Sequence, residues 1–418
     1  MQAPFLDASA NAASATAAPR PSARRRIVFA WELGGHTGHV TTLLPIARAM
    51  QAGGHDVSFV LRDVKAGADL EGAEEIPRRA APIWVGPTLH ENPLNFGEIL
   101  HNFGYQYPET MRKLADVWRE RLQDAHLLIA NVAPMAHVAA RTLGIPSFEI
   151  SQGFHIPPPA MPTPPLRDWE PAPRAQLEAA DRRVVDSINS VLEAYGASRI
   201  ETIGGLFAGR AMLLTYPELD IYPERGPADY YGIPHSGEGR SVPDWPRGRG
   251  ARVFGYLYQY CPGFDALLGA LEALDMPTLL FCRGMDPALK ARHARGSVRV
   301  LDQPMAASRM LGQADLVLCH GSHQMTAQGL LAGKPLLAIP TQLEQFLITR
   351  SVVRMGAGLG IAPGVPDPDF GAALAELAGD SKYARQARGF AERYAGHDRA
   401  AATGTMIARC EAALRAPA

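Results

Sequence analysis

The chain reads as an α/β protein of two Rossmann-like domains, and three observations predict this. At 418 residues it is too long for one ordinary core. Short apolar runs alternate with helix-period segments in two separate series, the pattern of strand, helix, strand units and parallel sheets. Between the series, from Tyr231 to Arg252, lies a stretch of Gly, Pro, Ser, Arg and Asp with no sustained period. The expected organisation is a disordered tail over 1–26, an N-terminal domain over 27–235, a linker over 236–250 and a C-terminal domain over 251–418.

The tail is rich in Ala, Pro and Ser, ends in Arg24-Arg25-Arg26, and lacks the apolar core of a secretory signal. Ile27–Trp31 predicts the first strand. It runs into the glycine-rich turn Gly34-Gly35-His36-Thr37-Gly38-His39. Val40, Leu43, Leu44, Ala47 and Met50 recur at helical spacing, Pro45 belongs near a helix start, and Gly53-Gly54 ends the run. His55–Leu61 predicts the second strand. Leu127–Ala130, a helix through Ala136 to Leu143, and Ile145–Ile150 repeat the alternation. A proline-rich loop from Pro157 to Pro165 and a helix from Arg174 to Tyr195 follow. Loops of this length over a parallel sheet often shape a ligand site.

The second series predicts strands at Val253–Leu257, Thr278–Phe281, Val298–Leu301, Leu316–Cys319 and Pro335–Ile339. The Ala-rich segment from Phe370 to Arg415 reads as helix able to pack across both domains. With 41 basic and 42 acidic residues, no net field draws the chain to nucleic acid. No apolar run reaches the roughly 18 to 20 residues that span a bilayer, which excludes an integral segment and leaves peripheral association open. Cys261, Cys282, Cys319 and Cys410 form no CxxC pair, so reduced thiols in a cytoplasm are expected and a zinc site is not.

Chemistry is expected at strand ends. His320-Gly321-Ser322 closes one predicted strand and opens a helix carrying Thr326, an arrangement whose free backbone N–H groups and dipole suit a diphosphate. By itself it is equally an ordinary strand-to-helix turn. One strand later, Pro340-Thr341-Gln342-Leu343-Glu344-Gln345 places a carboxylate and an amide at the same sheet edge, where ligands of open parallel sheets bind. The bland reading of Glu344 is a stabilising charge in a first helical turn.

The run His320–Leu336 followed by Pro340 and Glu344-Gln345 resembles the donor-binding signature of UDP-glycosyltransferases and macrolide glycosyltransferases. Gly38-His39-Val40, with Leu44, Ala47 and Gly54-His55-Asp56-Val57, is similar to the opening of the same enzymes, and the two matches span nearly all of Ile27 to Gly360. The resemblance implies a GT-B fold, two Rossmann-like domains facing across a cleft, with a C-terminal helix crossing between them. It implies inverting transfer of a sugar from a UDP- or TDP-linked donor to a hydroxyl of a small-molecule, glycan or lipid acceptor, with no further cofactor and no metal. His39 matches the histidine that deprotonates the acceptor, neutral at a helix N-terminus. His320 matches the diphosphate-contacting histidine, with Gly321, Ser322 and Thr326 beside it. Glu344 and Gln345 match the sugar-binding pair, and Gln303-Pro304-Met305 the loop that reads the base.

The chain departs from that pattern at three places. Asn131 stands where the family has the aspartate that orients the base. Gln328 stands where it has an acidic residue on the donor ribose. Ser322 and Gln324 replace glycines near the diphosphate. A nucleotide-sugar epimerase or hydrolase, and a silent nucleotide-sugar-binding homologue that activates a partner enzyme, are the alternatives. His36, Trp31, Phe96 and Trp118 are read as loop or packing residues, although Phe96 and Phe154-His155-Ile156 could line an apolar acceptor site.

Overall fold

A computed structural model describes residues 24–415 apart from 36, 235–241, 283, 294–295 and 304. Most of the expected tail, His36, Pro304 and part of the expected linker thus lie outside the described residues. The chain divides into two compact units. The first comprises the described residues through Tyr216, Tyr222–Pro234 and those from Arg399 onward, and the second Pro217–Ile221 with the described residues up to Asp398.

The first unit is a six-stranded parallel sheet formed by β1 (Arg26–Trp31), β2 (Asp56–Leu61), β3 (Arg78–Ala80), β4 (Leu127–Ala130), β5 (Ser147–Ser151) and β6 (Ala211–Leu213). The strand order is β3-β2-β1-β4-β5-β6, so the winding reverses between β1 and β4. Both faces of β1 are buried, as a central parallel strand requires. Ile27, Phe29 and Trp31 pack on one side with α1 (Gly38–Ala52), while Val28 and Ala30 pack on the other. That second side carries α2 (Phe96–His101), α3 (Pro108–Leu122), α4 (Pro134–Thr142) and α5 (Arg174–Ala194). Pro45 sits inside α1 rather than in its first turn. The edge strand β3 is the dipeptide Arg78-Arg79 plus Ala80, a charged, exposed edge that discourages pairing with other chains.

The second unit repeats the plan with β7 (Val253–Tyr256), β8 (Thr278–Phe281), β9 (Val298–Leu301), β10 (Leu316–Cys319), β11 (Leu336–Ala338) and β12 (Gly358–Gly360). All pairs are parallel and the order is β12-β11-β10-β7-β8-β9, reversing between β7 and β10. Connecting helices are α6 (Phe264–Ala273), α7 (Pro287–Arg292), α8 (Ala307–Gln313), α9 (His323–Leu331) and α10 (Leu343–Arg354). Leu267, Leu271 and Leu318 share a core with Phe370 and Leu374 of α11 (Phe370–Gly379).

The helix-prone C-terminal segment is three helices, not one. After α11, Asp380 caps α12 (Ser381–Arg393) by accepting from Lys382 N–H, and a second break precedes α13 (Arg399–Arg415). Here the expected boundary needs correcting, because α13 belongs to the first unit. Met406, Cys410 and Leu414 recur every fourth residue and join the core beneath α1. Polar anchors fix the register: Glu411 meets His55 Nε2 at 2.8 Å, and Arg409 meets Asp229 at 2.7 Å and the Tyr231 hydroxyl at 2.9 Å.

Candidate active site

In the first unit His39 is the second residue of α1, which follows β1, and Asn131 is the residue after β4. They therefore meet where the winding of the sheet reverses, the place where open α/β sheets bind ligands. His39 Nδ1 lies 2.5 Å from Asn131 Oδ1. The amide cannot turn over, because Asn131 Nδ2 donates to the Ile150 carbonyl at 2.5 Å. Oδ1 can only accept, so Nδ1 carries the imidazole proton and the lone pair is on Nε2. That is the tautomer a general base needs.

The ring is held from other sides as well. Trp31 stacks on it with centroids 4.8 Å apart and planes 17° from parallel, and its own Nε1–H donates to Leu33 O at 2.7 Å. Trp31 is buried, so the packing expectation holds, but what it packs on is the catalytic candidate. His155, in the short turn Gly153–His155, has its ring 6.1 Å from that of His39 and its Nδ1 3.1 Å from Ser151 Oγ. Gly34 has φ 85°, and a Cβ there would come within 2.9 Å of His39 Nε2. A glycine is thus needed both for the turn and for access to the basic nitrogen. Phe96 and Trp118 are buried in the core. Val132, directly after Asn131, has φ 57°, a left-handed conformation that costs a β-branched residue about 1–3 kcal/mol.

A buried carboxyl lies close by. Glu32 accepts from the Tyr105 hydroxyl at 2.8 Å and from Met135 N–H at 2.9 Å. Burial pushes it up to about 8 against these hydrogen bonds. Nothing in the sequence marked it, since one Glu at a strand end has no local signal.

In the second unit His320 follows β10 and Gly321 turns the chain at φ 76° into Ser322 and α9. A Cβ at Gly321 would strike Thr349 Oγ1 and come within 2.7 Å of Gln345 O, so only glycine fits. Ser322 is the N-cap position, and its side chain makes no capping bond. His320 is buried and both ring nitrogens are engaged: Nδ1–H donates to Ile339 O at 3.0 Å, and Tyr258 N–H donates to Nε2 at 2.8 Å. Burial lowers its pKa, which suits this neutral form. His320 thus staples the ends of β7, β10 and β11. As placed it offers no N–H to a diphosphate, which departs from the role the resemblance implied.

Thr326 departs too. It is fully buried, with Oγ1 3.9 Å from Cys319 Sγ, and so lies beneath the helix end. Gln328 is buried on the same helix. Glu344 and Gln345 occupy the first turn of α10, at the C-terminal edge of the sheet. Gln345 Oε1 is held by Thr341 N–H at 2.9 Å and Thr341 Oγ1 at 3.1 Å. Gln303 is exposed and Met305 half-buried after β9 at the sheet's far edge. The structure also adds residues the sequence did not flag. The rings of Tyr258, Tyr260 and His320 are mutually near-parallel, within 15°, and Tyr260 is 59% exposed. Among the described residues no cluster of three His, Cys, Asp or Glu is arranged to hold a metal, and no helix is long and apolar enough to cross a membrane.

No family model matches the chain. It is 23% identical over 391 residues to a zeaxanthin glucosyltransferase of Pseudescherichia vulneris, covering 82% of this chain and 88% of the relative. Among solved structures it is similar to the glycosyltransferase SsfS6 of Streptomyces sp. SF2575, with TM-score 0.61, 21% identity, and coverage of 92% of this chain and 99% of that one. It is also similar to the glycosyltransferase VinC, solved with dTDP, with TM-score 0.66, 16% identity and coverage of 94% and 100%. Two parallel six-stranded sheets of the same winding, matched along nearly the whole chain by these structures, give this protein the GT-B glycosyltransferase fold.

Proposed function

We propose that the protein is an inverting glycosyltransferase that moves a sugar from a UDP- or TDP-linked donor to a hydroxyl of a small-molecule acceptor, with His39 as general base. The observation that carries this is the His39–Asn131 pair, which leaves the lone pair on Nε2 at the switch point of the sheet. In the reaction Nε2 takes the acceptor hydroxyl proton as that oxygen forms a bond to the anomeric carbon. The bond from that carbon to the diphosphate oxygen breaks, its electron pair leaves with the nucleotide diphosphate, and the configuration inverts. Asn131 is neutral and cannot balance the imidazolium formed. Trp31 offers a substitute, because an indole face 4.8 Å from the ring attracts a cation.

On the donor side, the N-terminus of α9 with Gly321 and Ser322 would receive the diphosphate through backbone N–H groups and the helix dipole. Glu344 and Gln345 would take sugar hydroxyls, and Gln303 and Met305 the base. Thymidine diphosphate is the ligand of three solved structures that the chain resembles, those of VinC, SsfS6 and SpnG, which makes TDP the first nucleotide to try. The same reading puts the reaction in the cytoplasm, in keeping with four buried, unpaired cysteines.

The test is thermal stabilisation by UDP, TDP and GDP and their sugar conjugates, followed by transfer assays on hydroxylated acceptors with the stabilising donor. A rise in melting temperature with one nucleotide family, and an inverted glycoside product abolished by His39→Ala, are the expected results. Donor hydrolysis or epimerisation without an acceptor product would replace this reading with the alternative enzyme. Binding without turnover would mark a silent homologue.

A further inference from the structure

Behind the His39–Asn131 pair lies a buried network that the proton transfer does not use. The left-handed Val132 turn persists only because its neighbours over-determine it, and three hydrogen bonds do so. Glu149 Oε1 accepts from Val132 N–H at 2.6 Å. Val132 O accepts from the backbone N–H of Glu32 at 3.2 Å and of Leu33 at 2.9 Å. These last two bonds tie the turn that carries Asn131 to the segment leading into Gly34, where an added Cβ would lie 2.9 Å from His39 Nε2.

Glu149 is itself fixed from behind. It is fully buried on β5, its Oε2 accepts from His137 Nε2–H at 3.0 Å, and His137 Nδ1 lies 3.0 Å from Ser147 Oγ. The carboxylate is therefore held in place before any substrate arrives. Without it, the strained Val132 has every reason to relax toward an ordinary backbone well, and Asn131 turns with the shared peptide.

We propose that Glu149 is a positioning residue for glycosyl transfer, which holds Val132 in the left-handed turn and so keeps Asn131 Oδ1 on His39 Nδ1 with Nε2 unprotonated. This rests on the reading of His39 as the base. A merely structural Glu149 would stabilise the unit at large. A positioning Glu149 becomes dispensable once residue 132 adopts the turn without strain, as glycine does.

The experiment compares the wild-type protein, Glu149→Ala, Glu149→Gln, the double variant Glu149→Ala/Val132→Gly, and His39→Ala. The readouts are the His39 tautomer by nitrogen-15 NMR of histidine-labelled protein, kcat and donor KM, and melting temperature with and without UDP or TDP. In Glu149→Ala, His39 is expected to populate both tautomers and kcat to fall roughly ten- to a hundred-fold with donor KM and the nucleotide shift unchanged. Glu149→Gln, which still accepts from Val132 N–H, and the double variant are expected to recover the tautomer and most of kcat. Glu149→Asp, one methylene shorter, carries the same expectation as the alanine variant if the latter does not fold.

An unchanged tautomer and kcat in Glu149→Ala overturns the proposal. So does a loss that Val132→Gly fails to recover and that lowers melting temperature and nucleotide binding together. A fully active His39→Ala would instead defeat the base assignment, while the tautomer in Glu149→Ala still decides what Glu149 holds.

Discussion

His39 Nδ1 and Asn131 Oδ1 lie 2.5 Å apart although 92 residues separate them. In the serine proteases, replacing the orienting Asp by Asn drops kcat by about 10⁴, because the amide imposes the wrong tautomer on the histidine. Here the Ile150 carbonyl claims the amide N–H, so the oxygen faces the ring and the correct tautomer follows. In the proposed reaction Asn131 would thus orient the ring as an aspartate does, without its charge.

Asn131→Ala is expected to lower kcat by roughly 10²-fold, approaching the loss in His39→Ala, while leaving the UDP or TDP melting shift intact. Asn131→Asp restores a charge but sets a carboxylate oxygen against Ile150 O. It is expected to destabilise the protein by about 1–3 kcal/mol at neutral pH, read as a lower melting temperature.

Gly34→Ala tests access to Nε2. The added methyl must crowd the nitrogen at a position whose φ of 85° already disfavours any side chain. Transfer should fall by roughly ten-fold or more, with nucleotide binding unaffected; steady-state kinetics beside a thermal shift assay decides it.

Glu32 makes stability depend on pH. Its folded pKa is raised from 4.5 to about 8, so the folded protein binds this proton more tightly than the unfolded chain does. The stabilisation is complete below pH 4.5 and is lost as pH rises toward about 8. Glu32→Gln mimics the protonated side chain: its amide can donate to Tyr105 and its oxygen can accept from Met135 N–H. Melting temperatures of the two proteins should agree near pH 5 and separate by roughly 5–10 °C near pH 8, with the variant the more stable.

His320→Ala separates a staple from a phosphate contact. Removing the ring leaves Tyr258 N–H and Ile339 O without their partner. The protein without nucleotide is expected to lose about 1–3 kcal/mol. An unchanged melting temperature together with weakened TDP binding would return His320 to direct contact with the diphosphate.

The sequence by itself determined both parallel sheets and most of their strands, because a fully buried parallel strand is a run of apolar residues that announces itself locally, as in Ile27–Trp31 and Leu316–Cys319. It also placed His39, His320, Glu344 and Gln345 at strand-to-helix turns, since glycines and helix starts mark such turns within a few residues. The strands β3, β6 and β12 left no such mark. Arg78-Arg79-Ala80 and Gly358-Leu359-Gly360 are strands only because a neighbour supplies hydrogen bonds, and three residues hold too little period to show it. The resemblance already set Asn131 beside His39, but only the tertiary structure decided which other groups meet: Asn131 with Ile150, Glu149 with Val132, His320 with Tyr258 and Ile339, and α13 with α1. Each of these joins residues distant in sequence, through bonds that exist once the sheets have formed and brought the strand ends side by side.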